Sequence, residues 1–307
     1  MEVFTSTCNQ MILMFLFILL GFFLNKKKLL PDNANAVLSK LENMVFMPCL
    51  VLNTFISRCT IENLTTKLPF FLYSALSLAI VAPLAVLLSR FFATNKDEEG
   101  IYRYSLMFSN IAFMGNAVVE GIFGDDVLFD YLIFTLILNA VINSVGISWL
   151  MPVKDGKPFY KKLLNPINVA TIVGIVLGIT GIPLPKAFLN FISTGSACMS
   201  PVAMLLTGFV IGGYELKHLI TMKKVYLLSI YRLICMPLLF YFITLMVPVD
   251  MEIKRVLICA YAMPLGLNTI VIPAAYEGDT SLGASMALVS NIMALITIPL
   301  IFSISFH

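Results

Sequence analysis

The chain has 307 residues, of which 59% are hydrophobic and only 12% are charged, and its mean hydropathy is +0.94. Soluble domains average about 25% charged residues, so in water this sequence would expose large apolar patches and aggregate. It therefore predicts an integral membrane protein. Ten helical spans of about 20 residues each leave only about ten residues per connection, which excludes a separate soluble catalytic domain. The apolar runs are nearly continuous, which excludes the alternating strands of a β-barrel.

Ten apolar segments are predicted to cross the membrane as helices. The first five cover residues 6–24, 34–56, 68–92, 102–123 and 127–149. The second five cover residues 166–182, 187–214, 225–247, 256–276 and 282–306. The expected fold class is therefore an all-α polytopic membrane protein with ten transmembrane helices.

The basic residues set the predicted orientation. Fourteen of the 20 Lys and Arg residues lie at the first, third, fifth and seventh connections, against five on the opposite side. Because basic loops face the cytoplasm, we expect a multi-pass plasma membrane protein with both termini outside. Glu2 precedes the first span and Lys26 to Lys28 follow it, the reverse of a cleavable signal peptide. Arg232, inside the eighth span, is expected to snorkel to the lipid headgroups.

The longest and most basic connection, residues 151–165, divides the chain into halves at 1–150 and 166–307. Matching landmarks recur in these halves 152 to 154 residues apart: Leu30-Pro31 and Leu184-Pro185, Pro48 and Pro201, Asn116 and Asn268, Gly124-Asp125 and Gly278-Asp279. With five spans per half, the second repeat must be inverted relative to the first. Inverted repeats are typical of secondary transporters, whose substrate site lies between them.

Helices four and nine carry the strongest signals of a binding site, because glycine or proline interrupts each of them. Such breaks survive in a membrane only where they face protein or a water-filled cavity. The half-helix N-termini that they create attract a carboxylate, and asparagine amides beside them both donate and accept hydrogen bonds. The predicted substrate-binding residues are Asn53, Asn110, Gly115, Asn116, Asn139, Asn143, Pro264, Gly266, Asn268 and Thr269.

Ionisable residues inside the spans are scarce. Glu120 is the only carboxylate well inside helix four, which makes it the candidate for coupling transport to protons or sodium; the alternative is a solvated position near the helix end. Two peripheral histidines and six scattered cysteines form no metal-binding or catalytic pattern. We therefore expect no enzyme activity, no metal, no cofactor and no nucleic-acid partner.

Residues 110–117, followed by Phe123-Gly124-Asp125, resemble the fourth-helix motif of the auxin efflux carrier family. Residues 264–268, with 273–276 and Gly278-Asp279, resemble its ninth helix, and Asn165-Pro166 resembles its sixth. The resemblance implies two inverted five-helix repeats, a scaffold and a transport domain, broken helices crossing at the substrate, and a homodimer. This sequence departs from the family in having Asn116-Ala117 where a proline often follows the helix-four glycine.

Together these features predict a secondary active transporter that moves a small organic anion, such as an auxin-like or malate-like carboxylate, by alternating access. Two alternatives stay open. One is a sodium-coupled symporter resembling the bile acid family, and the other is a membrane sensor that binds a lipid or sterol without transporting it. Uptake that follows a sodium gradient and ignores pH would favour the symporter. Ligand binding without any transport would favour the sensor.

Overall fold

The computed structural model describes residues 2–31, 33–150, 165–275 and 280–306. All regular elements in these ranges are helices. Seven of the described helices are long and apolar enough to cross a membrane: Val3–Lys26, Ala34–Arg58, Ile61–Phe92, Ile111–Leu150, Lys186–Gly212, Lys223–Met246 and Ser281–Ser305. The prediction of an all-α, multi-pass membrane protein is therefore confirmed.

Before the basic connection, the described chain forms α-helices interrupted by five-residue π-helical turns. They are α1 (Glu2–Lys26), α2 (Ala34–Leu41), π1 (Glu42–Phe46), α3 (Met47–Arg58), α4 (Ile61–Thr66), α5 (Leu68–Phe92), α6 (Lys96–Met107), π2 (Ile111–Gly115), α7 (Asn116–Val141), π3 (Ile142–Gly146) and α8 (Ile147–Leu150). The side chain of Asn95 starts α6 by accepting a hydrogen bond from the backbone N–H of Glu98 at 2.8 Å. Of the predicted cytoplasmic linker 151–165, residues 151–164 lie outside the described ranges.

After that connection the elements are α9 (Pro166–Thr180), α10 (Lys186–Gly212), α11 (Leu216–Ile220), α12 (Lys223–Ile230), π4 (Tyr231–Cys235), α13 (Met236–Met246), α14 (Met251–Ala262), α15 (Asn268–Ala275) and α16 (Ser281–Ser305). Asn165 caps α9, since its side-chain oxygen accepts from the backbone N–H of Asn168 at 2.8 Å. Pro166, in the first turn, suits this start because the N–H it lacks would have no helical partner.

Most described residues of the predicted spans are helical, and α5 has the predicted bounds. Two predicted spans are not continuous helices. The fourth is divided among α6, π2 and the start of α7, and the ninth is divided between α14 and α15. That ten segments cross the membrane in two inverted repeats stays a prediction.

A kink at Gly124 divides the longest apolar segment, Ile111–Leu150, into two helices. A straight helix of 40 residues would be about 60 Å long, twice the roughly 30 Å of the hydrocarbon core. Gly124 has a φ of 79°, in the left-handed region that favours glycine. The kink therefore falls where the sequence predicts the end of helix four.

The helices pack in two groups. The continuous group consists of α1, α2–π1–α3, α9 and α10. The crossing group consists of α5, α6, π2–α7–π3–α8, α12–π4–α13, α14, α15 and α16. The two groups also contact each other, most extensively through α1 and α16. In the continuous group α1 and α10 approach each other closely at Gly208, where a Cβ atom would overlap the backbone carbonyl of Ile18, so a small residue is needed at this contact.

The structure corrects the prediction that Arg232 snorkels to the headgroups, because its side chain is only 1% exposed. Arg232 lies in π4, on the face that packs against α14 and α16. Its guanidinium carbon lies 5.2 Å from the centre of the Tyr261 ring. The side chain therefore points into the crossing group rather than along the lipid.

Candidate functional site

Two broken helices cross near the centre of the crossing group. The first break covers residues 108–110, between α6 and π2, and the second covers residues 263–267, between α14 and α15. The backbone N–H of Asn110 donates to the carbonyl of Pro264 at 2.8 Å, and Ser109 and Leu265 form an isolated antiparallel bridge. Each break thus supplies hydrogen-bond partners for the other, as buried backbone in a membrane protein requires.

Three side chains complete the crossing. The Ser109 hydroxyl donates to the carbonyl of Ala260 at 2.6 Å, and the Ser290 hydroxyl accepts from the backbone N–H of Leu265 at 3.1 Å. The Tyr131 hydroxyl donates to the carbonyl of Ile111 at 3.1 Å. These bonds use backbone groups at the helix breaks, so they hold both breaks in one geometry.

The break in helix four does not lie where the sequence predicts it. The prediction put it at Gly115 and Asn116, but the chain leaves helical geometry five residues earlier, at residues 108–110. The hydrogen bond from the Asn110 N–H to the Pro264 carbonyl explains the earlier position, because this N–H is then not available for a bond within the helix. Gly115 instead lies in π2, where a Cβ atom would overlap the Tyr131 hydroxyl.

A cavity of about 200 Å³ lies between the two helix groups, beside the crossing. The continuous group contributes π1, α3 and α9 to its wall, and the crossing group contributes π2, α7, π3, α8 and α15. The polar side chains that line it are Asn43, Asn116, Asn139, Asn143, Asn168, Thr171 and Asn268. A water molecule needs only about 10–15 Å³ on this scale, so the cavity has room for a small organic molecule.

Four predicted binding residues, Asn116, Asn139, Asn143 and Asn268, are brought together in this wall. The Asn268 amide donates to the Tyr104 hydroxyl at 2.8 Å, and the Asn116 amide lies 3.5 Å from the Met47 sulfur, a weak acceptor. Within the described residues the wall has no charged side chain. Its chemistry is therefore that of neutral amides and one threonine hydroxyl.

The remaining predicted residues do not line the cavity: Asn53, Asn110, Gly115, Glu120, Pro264, Gly266 and Thr269. Asn110 and Pro264 hold the crossing through their backbone. The Thr269 hydroxyl donates to the Gly266 carbonyl at 2.8 Å and so stabilises the start of α15. These residues shape the site, whereas Asn53 and Glu120 are partly buried elsewhere.

The family model described as membrane transport protein matches residues 6–160 and 156–302 of this chain. The chain belongs to the membrane transport protein family. This match confirms the family that the motifs of helices four and nine indicate. It also agrees with the prediction of a transporter rather than an enzyme.

Two relatives extend the similarity along the chain. This membrane transport protein is 24% identical over 304 residues to the uncharacterized transporter MJ1031 of Methanocaldococcus jannaschii, which covers 95% of this chain and 96% of the relative. It is 23% identical over 221 residues to the uncharacterized transporter YfdV of Escherichia coli K12, with 69% of each chain covered. The chain is thus similar to membrane transporters over nearly its whole length.

Sequence reasoning missed Asn43 and Asn168, two further amides in the wall of this membrane transport protein. A signal for Asn43 exists, since it precedes Met47, Val51 and Phe55 at intervals of four and shares their helix face. Asn168 is a polar residue in the otherwise apolar start of α9. Both come from the continuous group, so that group also supplies amides to the cavity.

Glu42, next to Asn43 in π1, was also missed. Its side chain is completely buried, and neither carboxyl oxygen has a hydrogen-bond partner in the described part of the chain. The turn that carries it packs most extensively against α10. No cluster of three or more His, Cys, Asp or Glu side chains that could hold a metal occurs among the described residues.

Proposed function

We propose that this membrane transporter is a secondary active transporter that carries a small organic anion across the plasma membrane by alternating access. The observation that supports it most is the position of the cavity. It lies between the two helix groups, beside two crossed helix breaks, and asparagine amides from both groups line it. A movement of one group against the other would change which side of the membrane the cavity faces.

The chemistry of the wall favours an anion that carries a carboxylate. The amides of Asn116, Asn139, Asn143 and Asn268 can donate to carboxylate oxygens. Helix starts at Ile111, in π2, and at Asn268, in α15, add partial positive charge and backbone N–H donors. A cationic substrate would find no carboxylate among the described residues of this wall.

We also propose ten membrane crossings in two inverted five-helix repeats, residues 1–150 and 166–307, joined by a cytoplasmic linker, with both termini outside. The kink at Gly124 supports two crossings within Ile111–Leu150. Asn116 and Asn268, matched by the repeat, both line the cavity, Asn116 about one turn into the helix that starts at Ile111 and Asn268 at the first residue of α15. Coupling to protons or sodium, with Glu120 as the candidate residue, and a homodimeric assembly complete the proposal.

Reconstituted vesicles test the transport step. The purified full chain is inserted into liposomes, and uptake of radiolabelled malate, malonate and indole-3-acetate is measured with and without proton and sodium gradients. Uptake of at least one carboxylate above that of empty liposomes is expected. Binding of all three without any flux would contradict transport and favour the sensor, whereas uptake that follows sodium and ignores pH would favour the symporter.

A further inference from the structure

Arg232 is the only fully buried lysine or arginine among the described residues. A cation inside a membrane helix is costly, so it marks a functional position or a specific partner by default. The proposed mechanism has not used this side chain.

Among the described residues no carboxylate forms an ion pair with Arg232, and its Nε atom has no hydrogen-bond partner there. Its surroundings are one Nη1 atom 3.5 Å from the carbonyl oxygen of Leu106, the face of the Tyr261 ring, and the neutral tyrosines Tyr104, Tyr131 and Tyr231. The positive charge is therefore fixed in place without a full countercharge.

The position of Arg232 relates this charge to the crossing. Leu106 lies in the last turn of α6, which ends at Met107, and carbonyls at a helix C-terminus carry partial negative charge. Two of the tyrosines that interact with Arg232 also form hydrogen bonds to the broken helices. Tyr104 bonds to Asn268, and Tyr131 bonds to the carbonyl of Ile111. Arg232 is therefore connected to the broken segments through Tyr104 and Tyr131, and Tyr104 also contacts Asn268 in the cavity wall.

The wall of the cavity itself cannot balance a ligand's charge. Its polar side chains within the described residues are amides and a threonine hydroxyl, and a buried ionised carboxylate needs more compensation than neutral groups provide. Helix starts supply about half a charge. A full positive charge nearby, poorly screened by water, supplies the rest.

We propose that Arg232 is the residue that determines charge selectivity. Its positive charge lies next to the crossing without a full countercharge, and it makes the cavity prefer a carboxylate over a neutral ligand of the same shape. This inference rests on the proposed function, because it assumes that the cavity is the substrate site. Arg232 acts through the electrostatic potential and does not touch the ligand. In protein, a unit charge at about 10 Å changes affinity on the order of tenfold.

The test compares acids with their amides. Binding of malate, malonate and indole-3-acetate, and of malamide, malonamide and indole-3-acetamide, is measured by calorimetry on the purified full chain. In the wild type each acid that binds is expected to bind about tenfold more tightly than its amide. Arg232→Gln should remove this preference by weakening the acid and leaving the amide unchanged, whereas Arg232→Lys should keep most of it. Arg255→Gln, which removes a half-buried arginine of α14, is the matched control and should keep it fully.

The outcomes separate the two proposals. If the wild type binds none of the six compounds, the proposed function is wrong. If it binds the acids and Arg232→Gln retains the preference, the assignment of charge selectivity to Arg232 is wrong. If Arg232→Gln does not fold, the salt dependence of the preference for acids over amides in the wild type tests the inference instead. A buried charge is little screened by salt, so the preference should stay constant between 50 mM and 500 mM sodium chloride, and a loss with salt would overturn the inference.

Discussion

The continuous group and the crossing group bury ionisable side chains in different ways. In the continuous group, Glu42 is completely buried and neither of its oxygens has a partner in the described chain. In the crossing group, Arg232 is buried against a tyrosine ring and the carbonyl end of α6. The difference follows from the backbone: unbroken helices satisfy their own carbonyls, whereas a broken helix exposes a partly negative end beside which a cation can lie.

The same contrast extends to packing. The continuous group brings backbones together at glycines, as at Gly208 against Ile18. The crossing group has close glycine contacts as well, as at Gly283 against Thr269, and it adds hydrogen bonds between its breaks, as from Asn110 to Pro264. Both groups are therefore sensitive to side-chain volume at these glycines, and the crossing group is sensitive in addition to the loss of polar partners at its breaks.

Alanine substitutions at a glycine in a helix contact of the continuous group and at a glycine in a break of the crossing group test this comparison, and we expect the largest effect here. Gly208→Ala places a Cβ atom onto the Ile18 carbonyl, so we expect a loss of about 3 kcal/mol in the free energy of unfolding. Gly266→Ala in the crossing group is the matched control. Its Cβ atom would lie 3.5 Å from the nearest atom, the Ser109 carbonyl oxygen, and the expected change is under about 1 kcal/mol. Thermal melting in detergent measures both, and equal losses would contradict the comparison.

Glu42→Met tests the unpartnered carboxyl of the continuous group. An unsatisfied buried polar group costs folding free energy, so its replacement by an apolar side chain of similar length should raise stability by about 1–2 kcal/mol. Glu62→Met on the exposed helix α4 is the control and should change stability little. A lower melting temperature for Glu42→Met would reveal a partner for Glu42 and remove the contrast with Arg232.

Arg58→Gln tests the contact between the groups. Arg58 ends α3, and its Nη1 atom lies 2.6 Å from a carboxyl oxygen of Asp126, next to the Gly124 kink of α7. Because this pair is largely exposed, its loss should cost under about 1 kcal/mol. Added salt should lower the free energy of unfolding less in Arg58→Gln than in the wild type. The control Arg90→Gln should show the salt dependence of the wild type. An unchanged salt dependence would show that the pair does not join the groups.

Much of the fold follows from the sequence, because long apolar runs in a membrane have few alternatives to a helix. The predicted end of helix four coincides with the Gly124 kink, since the glycine carries a visible signal. The break in helix four was misplaced because its cause is the hydrogen bond from Asn110 to Pro264, 154 residues away along the chain. A long-range bond leaves no local pattern.

The candidate site was predictable to the extent that its residues sit on one helix face or recur in the repeat. Asn116 and Asn268 are found by the repeat, and Asn139 and Asn143 by their spacing of four residues. Asn53 carries the same kind of signal but does not line the cavity. Arg232 was misjudged because the sequence does not tell which face of an apolar helix meets lipid and which meets protein.

The most direct measurement of the central claim is the affinity of a carboxylate for variants of the cavity asparagines. We expect Asn116→Ala and Asn268→Ala each to weaken binding of malate, malonate or indole-3-acetate, whichever binds the wild type, by roughly tenfold or more, because a hydrogen bond to a charged group is worth about 1.5–3 kcal/mol. Asn53→Ala, which removes a predicted asparagine outside the cavity, should bind as the wild type does. Wild-type affinity in both cavity variants would contradict the site and the account built on it.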